Sequence, residues 1–462
     1  MTRSRGAGWR ALGIFLGVVA LLGILVVLVS RGVDRRLATT AWPERIEGVR
    51  LEPTRPVLAA EDIGSDNAYA FFQKMADYPT EVYSPDVRES LDAFARGTLA
   101  EVRCPQLDAW PSERADYLAM MRAVAAAPSS QAPTAIGFDD VVPVSRYAIR
   151  DARMLSYLGS GAALDGDWEQ AWDWFTLGLD ISRQQPPGGT LIHHLVAHAG
   201  AGIHLASLRK AASEQPPPAA LARAMIEALL AWPAEMEPFA EAIRFERLLA
   251  LDAVDHVYRG AAPLVRQDES TASGRMGRWI AARGPTSLHA LGSTPEQTRR
   301  NVDAVYSHLI DAAESGRLAD TEASLFARVL PSGNRARIWY MLNDPVGRML
   351  MALMLPATGR AEHRVRTTFV HAEATAVLLA LDLYRGDHGH YPAALAALAP
   401  DYLPRVPEDR FAPGQPLCYA HDGDAFRLYS VGPNGRDHGG ERDYWAAETD
   451  AERAEADLVF HP

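Results

Sequence analysis

The chain has 462 residues, 48% of them hydrophobic and 23% charged, with a formal net charge of −12 and only 2 Cys. That length and apolar content exclude a disordered chain and a single ordinary core, and two or three folded units are expected. Two Cys exclude a disulfide scaffold and a Cys-rich zinc or iron–sulfur centre, while the acidic balance disfavours nucleic acid, whose binding depends on neutralising phosphates. The charge is uneven. Residues 1–36 sum to +5 and the remainder to −17. Only Lys74 and Lys210 are lysines; neither lies in a G-x-x-x-x-G-K-[ST] phosphate loop, and H-E-x-x-H, G-x-S-x-G and a full dinucleotide fingerprint are also missing.

Ala11 to Ser30 is a run of twenty residues without a charge. As a helix rising 1.5 Å per residue it spans about 30 Å, the thickness of the hydrocarbon core. The run exceeds the apolar part of a cleaved signal peptide, and Arg31, Arg35 and Arg36 follow it, so an uncleaved anchor is expected. Three Arg lie on each side, and Asp34 with the N-terminal amine tips the balance towards an N-terminus in the cytoplasm. That places the chain in the inner (cytoplasmic) membrane as a single-pass protein, with its bulk periplasmic.

Residues 65–360 read as helices. Helix starts are expected at Ser65-Asp66-Asn67 and at Pro111-Ser112-Glu113. The strongest hairpin joins Tyr147–Leu164 to a helix beginning at Trp168, with Asp167 as cap, Gln170 three residues on, and Ala171, Trp172, Phe175 and Leu179 at helical spacing. Its small-residue turn is similar to a tetratricopeptide-type hairpin, without a repeating 34-residue period. Further helices are expected at Thr190–Ser213, Pro218–Leu230 and Glu235–Tyr258, then from Pro295 after a Gly-, Ser- and Arg-rich stretch at Gly260–Ser293. His193, His194, His198 and His204 share one of these helices, and His194/His198 have the i,i+4 spacing of helical zinc ligands. The surrounding Leu191, Leu195, Val196, Ile203 and Leu205 favour the alternative that these imidazoles are packed inside a core. Glu241, Arg244, Glu246 and Arg247 read as an ion-pair group that fixes packing.

From Asn343 onward the order of motifs changes. A long helix carries Val365, Phe369, Ala372, Ala376, Leu379 and Leu383 on one seam. Then come Gly389-His390-Tyr391-Pro392, a short helix Ala393–Leu398, a turn at Asp409-Arg410-Phe411, two strands at Leu417–Ala420 and Ala425–Val431, and the loop Gly432–Asp443. This order resembles the C-terminal domain of the major pseudopilin of type II secretion. The resemblance rests on Leu381, Tyr384, Gly389, Tyr391, Pro392, Leu395, Leu398, Asp409, Phe411, Tyr419, Phe426, Tyr429, Ser430, Gly432, Pro433, Gly435 and Asp443. It covers residues 345–445, under a quarter of the chain, and the whole resembles a set of uncharacterised bacterial membrane-anchored proteins. Unlike a true pseudopilin, the tail lies some 340 residues from the start and carries Arg348 in its apolar segment, which implies a pilin-like module outside a pilus.

The resemblance implies calcium at the last loop, where Asn434, Asp437, Glu441 and Asp443 are the oxygen donors available; interleaved Arg436, His438 and Arg442 point instead to a solvated acidic turn. Cys104 and Cys418 would pair if adjacent, or each be a small buried residue. The expected architecture is mainly α: residues 1–36 as cytoplasmic tip and transmembrane anchor, 37–342 as an α-helical, repeat-like hairpin domain, and 343–462 as a small α+β pilin-like domain. The function expected from it is a non-catalytic envelope protein that contacts the lipid bilayer through residues 11–30 and other envelope proteins through its helical surface, with no nucleic acid; the alternative is a metal-dependent hydrolase using His194 and His198.

Overall fold

The structure is a computed structural model, and it describes residues 64–78, 81–95, 104–130, 148–184, 191–236, 238–259, 295–315, 345–422 and 425–460, apart from 446, 448 and 454. The proposed anchor at 11–30 and the stretch 260–293 lie outside the described residues. No described helix is long and apolar enough to cross a membrane. The described chain is mainly helical, with one small three-stranded sheet.

The helices in order are α1 (Ala68–Ala76), α2 (Pro85–Ala95), α3 (Pro105–Glu113), α4 (Ala115–Ala126), α5 (Ala148–Leu164), α6 (Trp168–Gln184), α7 (Leu191–Glu214), α8 (Ala219–Glu235), α9 (Phe239–Arg259), α10 (Pro295–Glu314) and α11 (Pro345–His388). A 3-10 turn (Leu395–Leu398), β1 (Cys418–Asp422), β2 (Ala425–Ser430), the short α12 (Asp450–Arg453) and β3 (Leu458–Phe460) complete the chain. The chain divides into two compact units. One comprises residues 1–53, 247–308 and 321–355; the other comprises 54–246, 309–320 and 356–462. In the first, Val254, Val302 and Tyr306 are buried and Arg247 pairs with Asp303.

The second unit contains the candidate sites. α1 starts where expected, with Asn67 Oδ1 accepting from Tyr69 N–H at 3.0 Å. The α5–α6 hairpin also follows the sequence. α5 closes with Gly166 at φ +81°, where Gly166 N–H donates to Ala163 C=O and Asp167 N–H to Ala162 C=O. This paired closure needs a left-handed residue, which glycine adopts without a Cβ penalty. Asp167 Oδ1 then accepts from Gln170 N–H at 3.0 Å to cap α6. Ala171, Phe175 and Leu179 face inward, and Trp172 is half-buried. The start expected at Pro111 is displaced. Pro105 takes the first position of α3, Pro111 falls in that helix's last turn, and a break at Arg114 separates it from α4.

α5, α6 and α7 approach closely because two glycines make room for rings: Gly159 receives Phe175, and Gly178 receives His204. A Cβ on Gly178 would collide with His204 Cε1 and Nε2. That ring is held by Ser156 and cannot move aside cheaply. Gly178→Ala is therefore expected to destabilise the second unit by about 2 kcal/mol or more, read as a lower denaturant midpoint, since overpacking a filled core costs about 1–3 kcal/mol.

α11 departs most from its expected seam. Val370, Ala372, Ala374, Ala376, Val377, Leu378, Ala380 and Leu381 are all buried, so this stretch of the helix is enclosed nearly all round. α7 lies on one side, where Thr368 Oγ1 donates to His198 C=O at 3.3 Å. The tail lies on another, where Arg410 forks onto both carboxylate oxygens of Glu373 and His371 packs on Phe460. One core thus joins Phe175, Leu205 and Trp232 of the helices to Leu379, Leu398, Leu428 and Phe460 of the tail. The Ala-rich stretch permits this because small side chains let neighbours on several faces approach together.

β1 and β2 form the expected antiparallel hairpin, with Tyr419 opposite Leu428 and Asp422 opposite Ala425. β3 adds to β2, pairing Tyr429 with Val459, and the sequence reading contains no strand there. The segment expected as a short helix at Ala393–Leu398 is a 3-10 turn.

Candidate functional site

α7 carries the histidine row into the core. Its first backbone N–H, on Leu191, donates at 2.8 Å to the Glu246 carboxylate, whose pKa burial pushes up. Ala197, Ala201, Leu205 and Leu208 are fully enclosed, and His193, His194, His198 and His204 are 1–2% exposed. His198 stands edge-on to Phe369 at 5.4 Å and to Trp232 at 6.4 Å, and stacks with His194 at 6.4 Å. Neither of its ring nitrogens has a hydrogen-bond partner among the described residues. Burial lowers the pKa to about 4 for His193 and to about 3 for His198 and His204, the charge of His194 adding to the effect at His198. These three imidazoles are neutral at pH 7. Among the described residues no group of three or more His, Cys, Asp or Glu is placed to hold a metal ion, so no third ligand joins His194 and His198 there.

One further constellation invites a catalytic interpretation. Ser156 Oγ lies 2.9 Å from His204 Nδ1, with Asp151 in the first turn of α5. Ser156 is fully buried, however, and the adjoining cavity of about 10 Å³ admits at most one water. Asp151 instead accepts from Tyr83 OH at 2.5 Å and from Tyr117 OH at 3.1 Å. Burial, then the Asp151 charge, raises the Tyr83 phenol's pKa well above its usual value. This buried carboxylate pins α5 to α4 and to the segment before α2.

The acidic loop is closed by its own hydrogen bonds. Three of the four oxygen donors of the expected calcium site accept hydrogen bonds within the protein. Asn434 Oδ1 accepts from Arg436 N–H at 2.8 Å, and Asp437 Oδ1 from Gly439 N–H at 2.8 Å and Tyr429 OH at 3.0 Å. Asp443 Oδ1 accepts from Trp445 N–H at 3.0 Å, and Glu441 is exposed. The residue that organises the loop is Asp457, which is fully buried. Its carboxylate accepts from His438 N–H at 3.1 Å and Gly440 N–H at 2.8 Å, and its backbone bonds to Arg442 C=O and Tyr444 N–H. The loop therefore holds its shape through protein–protein bonds, and no role for calcium is derived. The only signal for Asp457 in the sequence is one acid directly before the apolar Leu458-Val459-Phe460.

Asp409, a residue of the pseudopilin resemblance, is 1% exposed and accepts three bonds. Ser430 OH donates to Oδ1 at 2.8 Å, Phe411 N–H to Oδ1 at 2.9 Å, and Val431 N–H to Oδ2 at 3.0 Å. Cys104 and Cys418 are both free thiols. Among the described residues, a groove of about 370 Å³ opens between α2, α5 and α7. Phe94, Leu164 and Ile203 line it with Arg153, Lys210 and Glu214, and Leu164 is 40% exposed. Comparison with protein-family models, curated proteins and solved structures returns no match.

Proposed function

We propose that the chain is a non-catalytic, membrane-tethered scaffold that binds other envelope proteins. In this proposal residues 11–30 span the inner membrane, the helical body lies in the periplasm, and the tail is a pilin-like module built into the scaffold's core. The observation that carries it is the contrast between two parts of α7. Its imidazoles, the side chains best suited to chemistry, are buried, whereas its outer face opens a groove with an apolar lining and a charged rim. Such a mix of exposed Leu with Lys, Arg and Glu suits a protein partner. The pilin-like part draws support from the order of α11, 3-10 turn and antiparallel hairpin, and from Asp409 and Ser430 meeting in one latch.

Two measurements test the proposal. Reporters active only outside the cytoplasm, fused after residue 40 and at the C-terminus, are expected to be active at both sites; inactivity at both overturns the topology. A photo-cross-linker at Leu164 in intact cells is expected to give a discrete adduct that Lys210→Glu reduces at least about threefold, the loss expected for a rim charge facing a partner. Cross-linking no greater than at a solvated control position such as Glu169 overturns the groove as the contact surface.

A further inference from the structure

A second cavity, of about 230 Å³, lies where the end of α8, the middle of α11 and the 404–410 segment meet. Leu230, Pro233, Pro404 and Pro407 give it apolar walls, and Glu373, Arg405 and Arg410 supply its charges. A cavity of about 150 Å³ takes a benzene molecule, so this space takes a ring or a short chain with a polar head. The scaffold proposal makes no use of it.

Arg410 is fixed from one side. Its Nε donates to both oxygens of the Glu373 carboxylate at 3.2 Å, and its Nη2 to one of them at 2.6 Å. The guanidinium also lies 5.6 Å from the centre of the Phe369 ring. Glu373 is 5% exposed, whereas Arg410 is an exposed position. A guanidinium carries five N–H donors, and the fork onto Glu373 occupies a single edge. Nη1 has no hydrogen-bond partner among the described residues, so the Nη1–Nη2 edge is held in place and open. Arg405 is exposed and makes no hydrogen bond or ion pair among the described residues. With no partner to hold it, its long side chain is free to turn towards a ligand in the cavity that it lines.

Two guanidinium groups against one carboxylate leave the lining with one positive charge in excess. The last turn of α8, at Leu230 to Ala234, brings the negative pole of that helix to the same cavity. A monoanion balances the excess. A dianion such as phosphate would set a further negative charge beside Glu373 and the helix end. We propose that this cavity binds a small organic carboxylate, its oxygens on the open edge of Arg410 and on Arg405, its apolar body against Leu230, Pro233 and Pro404. The planar fork of a guanidinium matches the two oxygens of a carboxylate, and the prolines offer a rigid apolar wall to the remainder.

The test is calorimetric titration of the full chain in detergent with benzoate, benzamide, acetate and inorganic phosphate. Saturable one-site binding of benzoate is expected, with uncharged benzamide at least about tenfold weaker. Acetate, which lacks the apolar body, is expected to bind at least about fivefold more weakly than benzoate, and phosphate more weakly too. Arg405→Gln removes an exposed side chain without a partner among the described residues, so the melting temperature should stay unchanged. Its benzoate affinity is expected to fall at least about fivefold. Arg410→Lys keeps a cation beside Glu373 but has no second edge, and should also weaken binding. Absence of saturable benzoate binding, benzamide or phosphate binding as tightly as benzoate, or an unchanged benzoate affinity in Arg405→Gln overturns the proposal.

Discussion

Lowering the pH from about 7 to about 4 is expected to unfold the second unit cooperatively, and His198→Phe to shift that transition to lower pH. The sign follows from the depressed pKa values. His193 lies at about 4 and His198 and His204 at about 3 in the folded state, against an ordinary 6.5. The unfolded chain therefore binds more protons than the folded one throughout that window. Stability is complete above the ordinary imidazole pKa of about 6.5 and is lost as the pH falls towards the folded values. A three-unit shift on one imidazole corresponds to roughly 4 kcal/mol over the whole window. Two or three such groups together are comparable with the roughly 5–15 kcal/mol that holds a typical domain together. His198→Phe removes one titrating ring and two buried nitrogens that have no partner among the described residues, and places a ring of similar shape among Trp232 and Phe369. A gain of about 1 kcal/mol at neutral pH and a transition lowered by at least about 0.3 pH units are expected. Circular dichroism along a pH titration measures both; a native spectrum persisting to about pH 3.5, or identical transitions for the two proteins, would show that the imidazoles are solvated.

Asp409→Ala is expected to cost about 3–5 kcal/mol and to loosen the tail before the helices. The carboxylate collects Ser430 OH, Phe411 N–H and Val431 N–H at one buried point, tying the 409–411 turn to the end of β2. Truncation leaves three donors without an acceptor in a place water does not reach. Asp409→Asn should recover little, because the amide NH2 would face the Val431 N–H or the Ser430 hydroxyl, donor against donor. Hydrogen exchange should show protection lost first at Leu428–Val431 and Leu458–Phe460. A stability loss below about 1 kcal/mol for the Ala variant, or uniform loosening of α5–α8, would contradict this role.

Local signals in the sequence were accurate where one residue's chemistry decides the outcome. Asn67, Gly166 and Asp167 cap or close helices because their backbone and side-chain geometry can do so with near neighbours only. The β1–β2 hairpin was legible for the same reason. Pro111 misled because a proline is compatible with a first turn and, here, with a last one, and Pro105 upstream had already taken the starting position. β3 is too short to show a period, and it becomes a strand by pairing with β2.

Of the candidate sites, the histidine row was legible as a row, and the apolar residues around it already favoured burial. The acidic loop was legible as a loop, while its organiser Asp457 was not, since the carboxylate acts on residues seventeen and nineteen positions away.

By itself the sequence determined the helical content, the hairpin turns, the acidic body and the apolar run at 11–30, because each follows from composition or from contacts within a few residues. Tertiary structure alone decided that the 370–381 stretch of α11 is enclosed by both the helices and the sheet, that burial depresses the pKa of His193, His198 and His204, and that Asp457 organises the acidic loop. Those outcomes depend on which surfaces meet and exclude water, and the free energy of exclusion belongs to pairs of segments far apart in the chain.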